Sequence, residues 1–568
     1  YYVIPYTFIF ENIPLFLTIL NTILLGMLFG ISVLAAVLQP FLEKIVLRFL
    51  LWGSEKNLLS LVQKSLSGHR NRNRKTALMF TTCLAFIIFA GAMFSLQAQS
   101  IIDNVRANVA SDVMVLAPFY GDPLDQKGMT EFLEAEMNKP KGERVLDNYS
   151  FVTFPMWLIP DVRHNWVSNL AELPWFHLQF FGTDRDFLNT IFSEYLLVTE
   201  TCDQFEYDGL ISDSGKPDVV KSLYDSPRQQ LLPVEKDSGL LIPPSVLSGR
   251  NPSALSSSGE VFYYRNNSET YTDFIEVFGS EALRYSMYVD TDSPMIMDLS
   301  ANFILKSSID FRYLLKMRAM AKKAPGFLFS SYKQTAFASH MIITMDSFQE
   351  LTNRIYEMRR TGLLDSGFSP EEANDKISSL PSSPNMNRLL MKLVDGFNST
   401  QSETLQNGIR NFVTNDITVI FDTASLLSTT DVATEALIAF FDLVSVIAAV
   451  LCFFVLWLSF TSNIRENSWE FGVLRAVGLS AAQVIRVYIY EALAIIITAL
   501  VLGSICGLVL AVTLTLQFNL FTEMPFSFQF PYFLFFSVLV LSLSVAIGGS
   551  YLAARHIKNR EIAQVLKG

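Results

Sequence analysis

Cysteine is scarce. Four occur in 568 residues; Cys83, Cys452 and Cys506 fall in apolar runs, and Cys202 alone lies in the long polar middle, so no disulfide is expected within that segment. The five histidines (His69, His164, His177, His340, His556) are scattered, and no Cys/His pair has metal-ligand spacing. Asp290 and Asp292 open like a calcium loop, but Pro294 follows and the later ligands are missing, which reads as a solvated acidic turn. No Gly-x-x-x-x-Gly-Lys-Ser/Thr loop occurs, so an ATP site of that type is excluded from this chain. No Gly-x-Ser-x-Gly nucleophile elbow is present either. These absences give no catalytic residue, no metal and no cofactor to expect. A net charge of -11 gives no reason to expect a nucleic-acid partner.

What the chain has is apolar sequence in long runs: half its residues are apolar and its mean hydropathy is +0.32. Ile13 to Leu38, Ala77 to Ala98 and Pro531 to Ala554 each pass without a charge. Each is long enough to cross roughly 30 Å of hydrocarbon at about 1.5 Å per residue. Ala436 to Phe460 and Val487 to Gln517 are as apolar, with the acids Asp442 and Glu491 inside or near their ends. Five spans and a lipid-bilayer environment follow. An acid within a span is costly and often functional. Asp442 reads as a hydrated hinge or a proton-relay carboxylate, and Glu491 as a partner for Arg475 or Arg486.

Charge sets the orientation. All but nine of the 54 acidic residues and all but fifteen of the 43 basic ones lie between Gln99 and Glu435, giving that stretch a net charge of -17. It has no run able to span, and reads as a folded aqueous domain. The other basic residues cluster at Lys44 to Lys75, Arg465 to Arg486 and Arg555 to Lys567. The positive-inside rule makes those clusters cytosolic and puts the acidic domain across the bilayer, in a plasma or endomembrane. Glycosylation sequons at Asn148, Asn266 and Asn398 all lie in that domain.

The last apolar run resembles the first. At an offset of 518, Phe526-Ser-Phe528 meets Phe8-Ile-Phe10, Gly548 meets Gly30, Ser550 meets Ser32, and Leu552-Ala-Ala554 meets Leu34-Ala-Ala36. Read as a repeat, residues 1–40 are the last span of a preceding membrane unit, which predicts a longer polypeptide. Phe41 to Trp52 alternates apolar and charged residues and reads as an interfacial amphipathic helix. Residues 41–76 thus form a cytosolic amphipathic and basic linker, 77–98 a span, 99–435 the outer domain with helical stalk ends, and 436–568 a three-span unit. Within the outer domain, Leu240 to Leu247 and Met341 to Phe348 read as strand-then-helix pieces. Gly26-x-x-x-Gly30 and Gly503-x-x-x-Gly507 are small-residue motifs for close helix approach, within the subunit or in a homodimer.

The segment 463–478 lies between two spans and contains Arg465-Glu466-x-x-x-Glu470-Phe471-Gly472-x-Leu474-Arg475-Ala476-x-Gly478. Trp469, Val473 and Val477 recur every four residues, an apolar stripe on a short helix that Gly478 would end. Glu466, Glu470 and Arg475 remain for water or a partner. This run resembles the signature of the FtsX-like permeases, the family that includes MacB and the LolC/LolE lipoprotein exporters. One span, a large outer domain, then three spans agree with it. The resemblance implies an α-helical membrane bundle of about five spans carrying a large extracytoplasmic mixed α+β domain, and an ABC-type ATPase partner, in trans or upstream. It further implies that Arg465, Glu466, Trp469, Glu470, Phe471, Leu474, Arg475 and Gly478 form the ATPase-coupling helix.

The expected function is a non-catalytic permease subunit that passes a cytosolic push to the outer domain, exporting or extracting a lipid or other apolar molecule. A pseudo-dimer with an upstream repeat would serve it as well as a homodimer. A second reading makes the chain a membrane receptor that activates an extracellular hydrolase. A third makes it an ion-coupled transporter centred on Asp442 and Glu491.

Overall fold

A computed structural model describes residues 13–558 apart from 53–54, 141–142, 160–161, 167–178, 202–222, 225–273, 288–290, 292–293, 303–307, 330–338, 379, 382, 398, 414–416, 467, 526–527 and 529. Cys202, Asp290, Asp292, Asn266, Asn398 and the Leu240 to Leu247 segment therefore lie outside the described residues. The chain divides into a helical unit, residues 1–101, 430–522 and 526–568, and a sheet unit, residues 102–429 and 523–525.

In chain order the elements are α1 (Ile13–Leu50), α2 (Leu59–Gly68), α3 (Arg70–Val109), β1 (Val113–Leu116), α4 (Gln126–Met137), β2 (Leu146–Thr153), β3 (Val162–Trp166), β4 (Gln179–Thr183), β5 (Leu197–Thr201), β6 (Phe274–Ser280), β7 (Pro294–Asn302), β8 (Ser308–Lys323) and β9 (His340–Thr344). Then come α5 (Met345–Asp365), α6 (Pro370–Ser378), β10 (Met386–Leu393), α7 (Ser399–Arg410), β11 (Val419–Asp422), α8 (Thr423–Glu466), α9 (Ser468–Ala476), α10 (Ala481–Thr522) and α11 (Tyr532–Lys558).

Among the described residues, five helices are long and apolar enough to cross a membrane: α1 over Phe29–Leu50, α3, α8 over Thr423–Ser459, α10 over Ala481–Asn519 and α11 over Phe535–Leu552. Their apolar runs bury Leu84, Ile88, Leu456, Ile496 and Val545 in one cluster. α1 departs from expectation. It continues unbroken through Pro40 to Leu50, so Phe41 to Leu50 extends a span and is not a separate interfacial helix. Proline costs one helical hydrogen bond, which neighbouring helices in a bundle offset. α2 departs as well: its Val62 and Leu66 are buried in the same cluster as the spans, so it packs on the bundle.

The two glycine motifs behave differently. A Cβ added at Gly507 would lie 2.8 Å from the Ile88 side chain and 3.0 Å from the Ala85 carbonyl oxygen, and one at Gly503 3.0 Å from the Thr81 carbonyl oxygen. Gly503 and Gly507 are thus where α10 meets α3 within the chain. A Cβ added at Gly26 or Gly30 would meet nothing within 4 Å among the described residues.

α3 and α8 lie side by side in a fixed antiparallel register. Thr76 Oγ1 is 2.5 Å from Ser459 Oγ, the Cys83 and Cys452 thiols hydrogen-bond each other, and Phe94 stacks on Phe441 with centroids 5.1 Å apart. The two residue numbers of each pair add to the same value, 535. Steps of seven and eleven residues are close to two and three turns at 3.6 residues per turn, so the three contacts share one face.

Among the described residues the sheet unit holds an eleven-stranded mixed sheet in the order β11-β1-β10-β2-β4-β9-β6-β8-β7-β3, with β5 also on β8. β4 with β9 and β6 with β8 are parallel pairs. Side chains alternate across it, as a period of two requires: Leu389 and Met391 of β10 pack with Met129 and Leu133 of α4 and Leu405 and Ile409 of α7, while Leu390 packs with Val152, Phe181 and Ile342. The Met341 to Phe348 segment is strand then helix as expected, with Thr344 capping α5 through its hydroxyl on the Ser347 amide. β1 and β11 pair antiparallel, Val113 facing Asp422, again with a sum of 535. Asp422 also caps α8, accepting from the Ala424 amide at 2.9 Å. Asn148, the sequon within the described residues, is half-buried in β2.

Two titratable groups, the buried His340 and the half-buried Asp184, give the sheet unit opposite pH responses. His340 Nδ1 accepts from the Leu328 amide at 3.0 Å, and its ring lies 4.7 Å from that of Phe181. Burial, then the charge of Arg388, holds its imidazole down to about 3 from an ordinary 6.5. The unfolded chain binds a proton that the folded chain refuses, so this contribution is whole above about 6.5 and is lost as the pH falls towards 3. Asp184 accepts from Ser150 Oγ at 2.5 Å and the Phe151 amide at 3.0 Å. Burial nevertheless pushes its carboxyl up to about 6 from 3.8, so its contribution is whole below 3.8 and is lost as the pH rises through 6.

We expect thermal unfolding of the full chain, followed by near-ultraviolet circular dichroism, to show a shallower acid-side loss of stability in His340→Phe and a steeper one in Asp184→Asn. Unchanged slopes in both would assign the response to other groups. For the helix contact, Gly507→Leu should destabilise the helical unit by roughly 1–3 kcal/mol or prevent its folding, whereas Gly30→Leu should be neutral in the same melts; equal behaviour would refute the α3–α10 contact.

Candidate coupling site

The basic segment between α8 and α10 folds from its own local signals. Gly478, at φ +109°, ends α9, with the Leu479 amide on the Leu474 carbonyl at 3.2 Å and the Gly478 amide on the Arg475 carbonyl at 3.1 Å. This is the paired closure that a left-handed residue after a helix makes. Ser480 then starts α10: the Gln483 amide donates to Ser480 Oγ at 3.3 Å and the Ser480 amide to Gln483 Oε1 at 2.9 Å. That reciprocal cap, Ser-x-x-Gln, was legible in the sequence and passed over.

The face that α9 buries is not the expected one. Phe471 is 1% exposed and packs with Val484, Ile485 and Tyr488 of α10, joined by Leu474 and Leu479. Its ring lies near-parallel to Tyr488, centroids 6.5 Å apart. Trp469, Val473 and Val477, the stripe read from the sequence, point away: Trp469 is 55% and Val477 76% exposed. Phe471 and Leu474 are therefore anchors that fix α9 to α10, and the stripe is the open face. Arg475 is half-buried, and the side chains of Arg465 and Glu466 lie outside the described residues.

The linker before α3 is stapled to this segment. Glu491, 2% exposed, accepts from Ser65 Oγ of α2 at 2.9 Å and from Asn73 Nδ2 of α3 at 3.1 Å. Arg72 and His69 lie within its electrostatic reach. His69 Nε2 is 3.4 Å from Glu470 Oε2 of α9. Arg486 donates to Glu55 at 2.5 Å, and hydrogen bonds from Tyr490 and then Arg486 hold the Glu55 carboxyl below the ordinary range. On the other side of Asn73, Gln39 of α1 donates to the Asn73 carbonyl at 3.5 Å and to Glu43 at 2.6 Å. The expected pairing of Glu491 with Arg475 or Arg486 is thus corrected: Arg486 is taken by Glu55, and Glu491 is met by two neutral donors. A carboxylate buried in an apolar bundle needs such donors, and nothing local in the sequence names them. Asp442 is exposed on α8 and takes no part in the bonds to Glu491.

Residues 443–562 match the family model described as FtsX-like permease C-terminal. That segment belongs to the FtsX-like permeases. It takes in the second half of α8 and all of α9, α10 and α11, so the anchored helix and Glu491 fall within the matched segment, while the donors Ser65 and Asn73 lie outside it. Among solved structures, the periplasmic region of MacB from Actinobacillus actinomycetemcomitans aligns with 59% of this chain and 98% of its own, at 9% identity and a TM-score of 0.26. A likeness that loose carries no argument about the sheet unit. No curated protein matches the chain in sequence. The likeness to these permeases is carried by that segment, and the described residues contain five helices long and apolar enough to cross a membrane.

Replacing Glu491 by Ala leaves the Ser65 hydroxyl and the Asn73 amide without their acceptor, each at a cost of roughly 1–3 kcal/mol. Glu491→Ala should release α2, seen as faster tryptic cleavage at Lys64 in the intact permease, and Glu491→Gln should restore most of the protection. Equal digestion of wild type and Glu491→Ala would show that α2 is held by packing alone.

Proposed function

We propose that the permease is a mechanotransmitter: a cytosolic ABC-type ATPase pushes on α9, and the movement reaches the acidic sheet unit on the other side of the bilayer. The observation that carries this reading is the division of α9 into two faces. Phe471 and Leu474 tie it to α10, while Trp469, Val473 and Val477 leave an apolar stripe exposed among the described residues. A partner that closes on Trp469 and pairs with Glu470 or Arg475 would move α10 and, through Glu470–His69 and Glu491–Ser65–Asn73, the base of α3. α3 and α8 each run as one helix out of the apolar region, to Val109 and from Thr423. That continuity supports a stalk that transmits tilt or displacement.

On this reading substrate need not cross the bundle core. The sheet unit would extract or extrude a lipid or other apolar molecule already on its side. α1 would be the last span of a preceding copy of the unit, making the chain half of a pseudo-dimer, and the basic clusters at 44–75 and 465–486 would both be cytosolic.

The test is ATPase stimulation in proteoliposomes with the copurifying ATPase. Glu470→Gln with Arg475→Gln, and separately Trp469→Ala with Val473→Ala, should each lower stimulation about tenfold, equivalent to about 1.4 kcal/mol of coupling, with α9 still folded. Full stimulation in both double variants would sink the assignment of α9.

A further inference from the structure

Cys83 of α3 and Cys452 of α8 take no part in the coupling contacts. They sit at the middle of the three facing pairs, between Thr76–Ser459 and Phe94–Phe441, and their thiols hydrogen-bond each other. We propose that they form a redox-active dithiol that converts to a disulfide inside the helical bundle, with a membrane-soluble hydroperoxide as its oxidant.

The geometry favours a bridge over separate oxidation. A disulfide needs Cα atoms about 4.4–6.8 Å apart and Cβ vectors that converge; facing positions in a close antiparallel pair, with hydrogen-bonded sulfurs, offer that approach. The contacts on either side hold the register, so the sulfurs meet repeatedly without a search. Exposure divides the roles. Cys83 is exposed and Cys452 is buried, so an oxidant meets Cys83 first. Around Cys83 the surface of α3 is apolar, with Met79 and Phe86 both exposed, which selects an oxidant that partitions into the same apolar medium.

The step balances. The Cys83 sulfur attacks the hydroperoxide, breaking its O–O bond to give a sulfenic acid and the corresponding alcohol. The Cys452 sulfur then attacks the sulfenic sulfur, forming the S–S bond and releasing water. Two electrons and two protons leave the dithiol, and the hydroperoxide is reduced to alcohol and water. The product ties α3 to α8 covalently and blocks a one-turn slide of about 5.4 Å between them.

The experiment uses the full chain in liposomes, as wild type and as Cys202→Ser/Cys506→Ser, treated with cumene hydroperoxide and then denatured for thiol counting and peptide mapping. Free thiols in the double variant should fall from two to none and return with dithiothreitol. A peptide joining Cys83 to Cys452 should appear in both proteins, with hydrogen peroxide reacting more slowly. Two persistent thiols, sulfinic or sulfonic acid at Cys83 without the joined peptide, or bridges between chains would overturn the dithiol. Equal rates with hydrogen peroxide would overturn the choice of oxidant.

Discussion

The antiparallel register of α3 and α8 is the constraint on which the remaining architecture depends. Three side-chain contacts in the apolar region and the β1–β11 pairing all share one sum of residue numbers. Sliding one helix by a single residue would separate Thr76 from Ser459, two part-buried hydroxyls at the basic end of the pair. Register is thus fixed by the cost of stranded polar groups as much as by the apolar surface around them. Lipid-facing helices gain little from apolar contact alone, because lipid is as apolar as leucine.

The same economy explains the collar at the basic end. Glu491 would be costly inside the bundle without partners. Ser65 and Asn73 lower that cost and at the same time dock α2 and the first turn of α3 onto α10. Glu470 with His69 and Glu55 with Arg486 extend the attachment. These outer contacts are half exposed, and such ion pairs contribute little each; their use is to fix which residues move together. α10 gains its grip on α3 from Gly503 and Gly507, where absent side chains let the backbones approach. On the proposed reading, a displacement entering α9 would meet a packed aromatic contact, then a satisfied carboxylate, then a close backbone contact.

Much of this was legible in the residues, and the failures have physical causes. The five apolar runs became five helices because length and hydropathy suffice for that inference. Gly478 ended its helix as a left-handed residue should. The alternation at Phe41 to Trp52 misled: α1 runs unbroken through Pro40 to Leu50, so Phe41 to Leu50 prolong a span. The stripe at Trp469, Val473 and Val477 was found at the right spacing and given the wrong side, because periodicity groups residues on a face without saying what covers it. Phe471, two residues out of phase, won the interior through Tyr488. The partners of Glu491 were invisible, since Ser65 and Asn73 lie more than four hundred positions away in the chain.

That inversion of faces bears directly on how a push could enter. A short helix whose apolar stripe were buried would present only charges, and exposed ion pairs are weak and screened by salt. With Phe471 and Leu474 spent on anchoring, the outward stripe offers a partner about two turns of apolar contact flanked by Glu470 and Arg475. Apolar contact supplies affinity and the flanking charges supply register. A lever needs both a fixed joint and a free handle, and on the proposed reading the buried and exposed faces of α9 would supply the two. Were Phe471 on the open face instead, α9 would bind its partner and yield to it, and the load would stop at the loop.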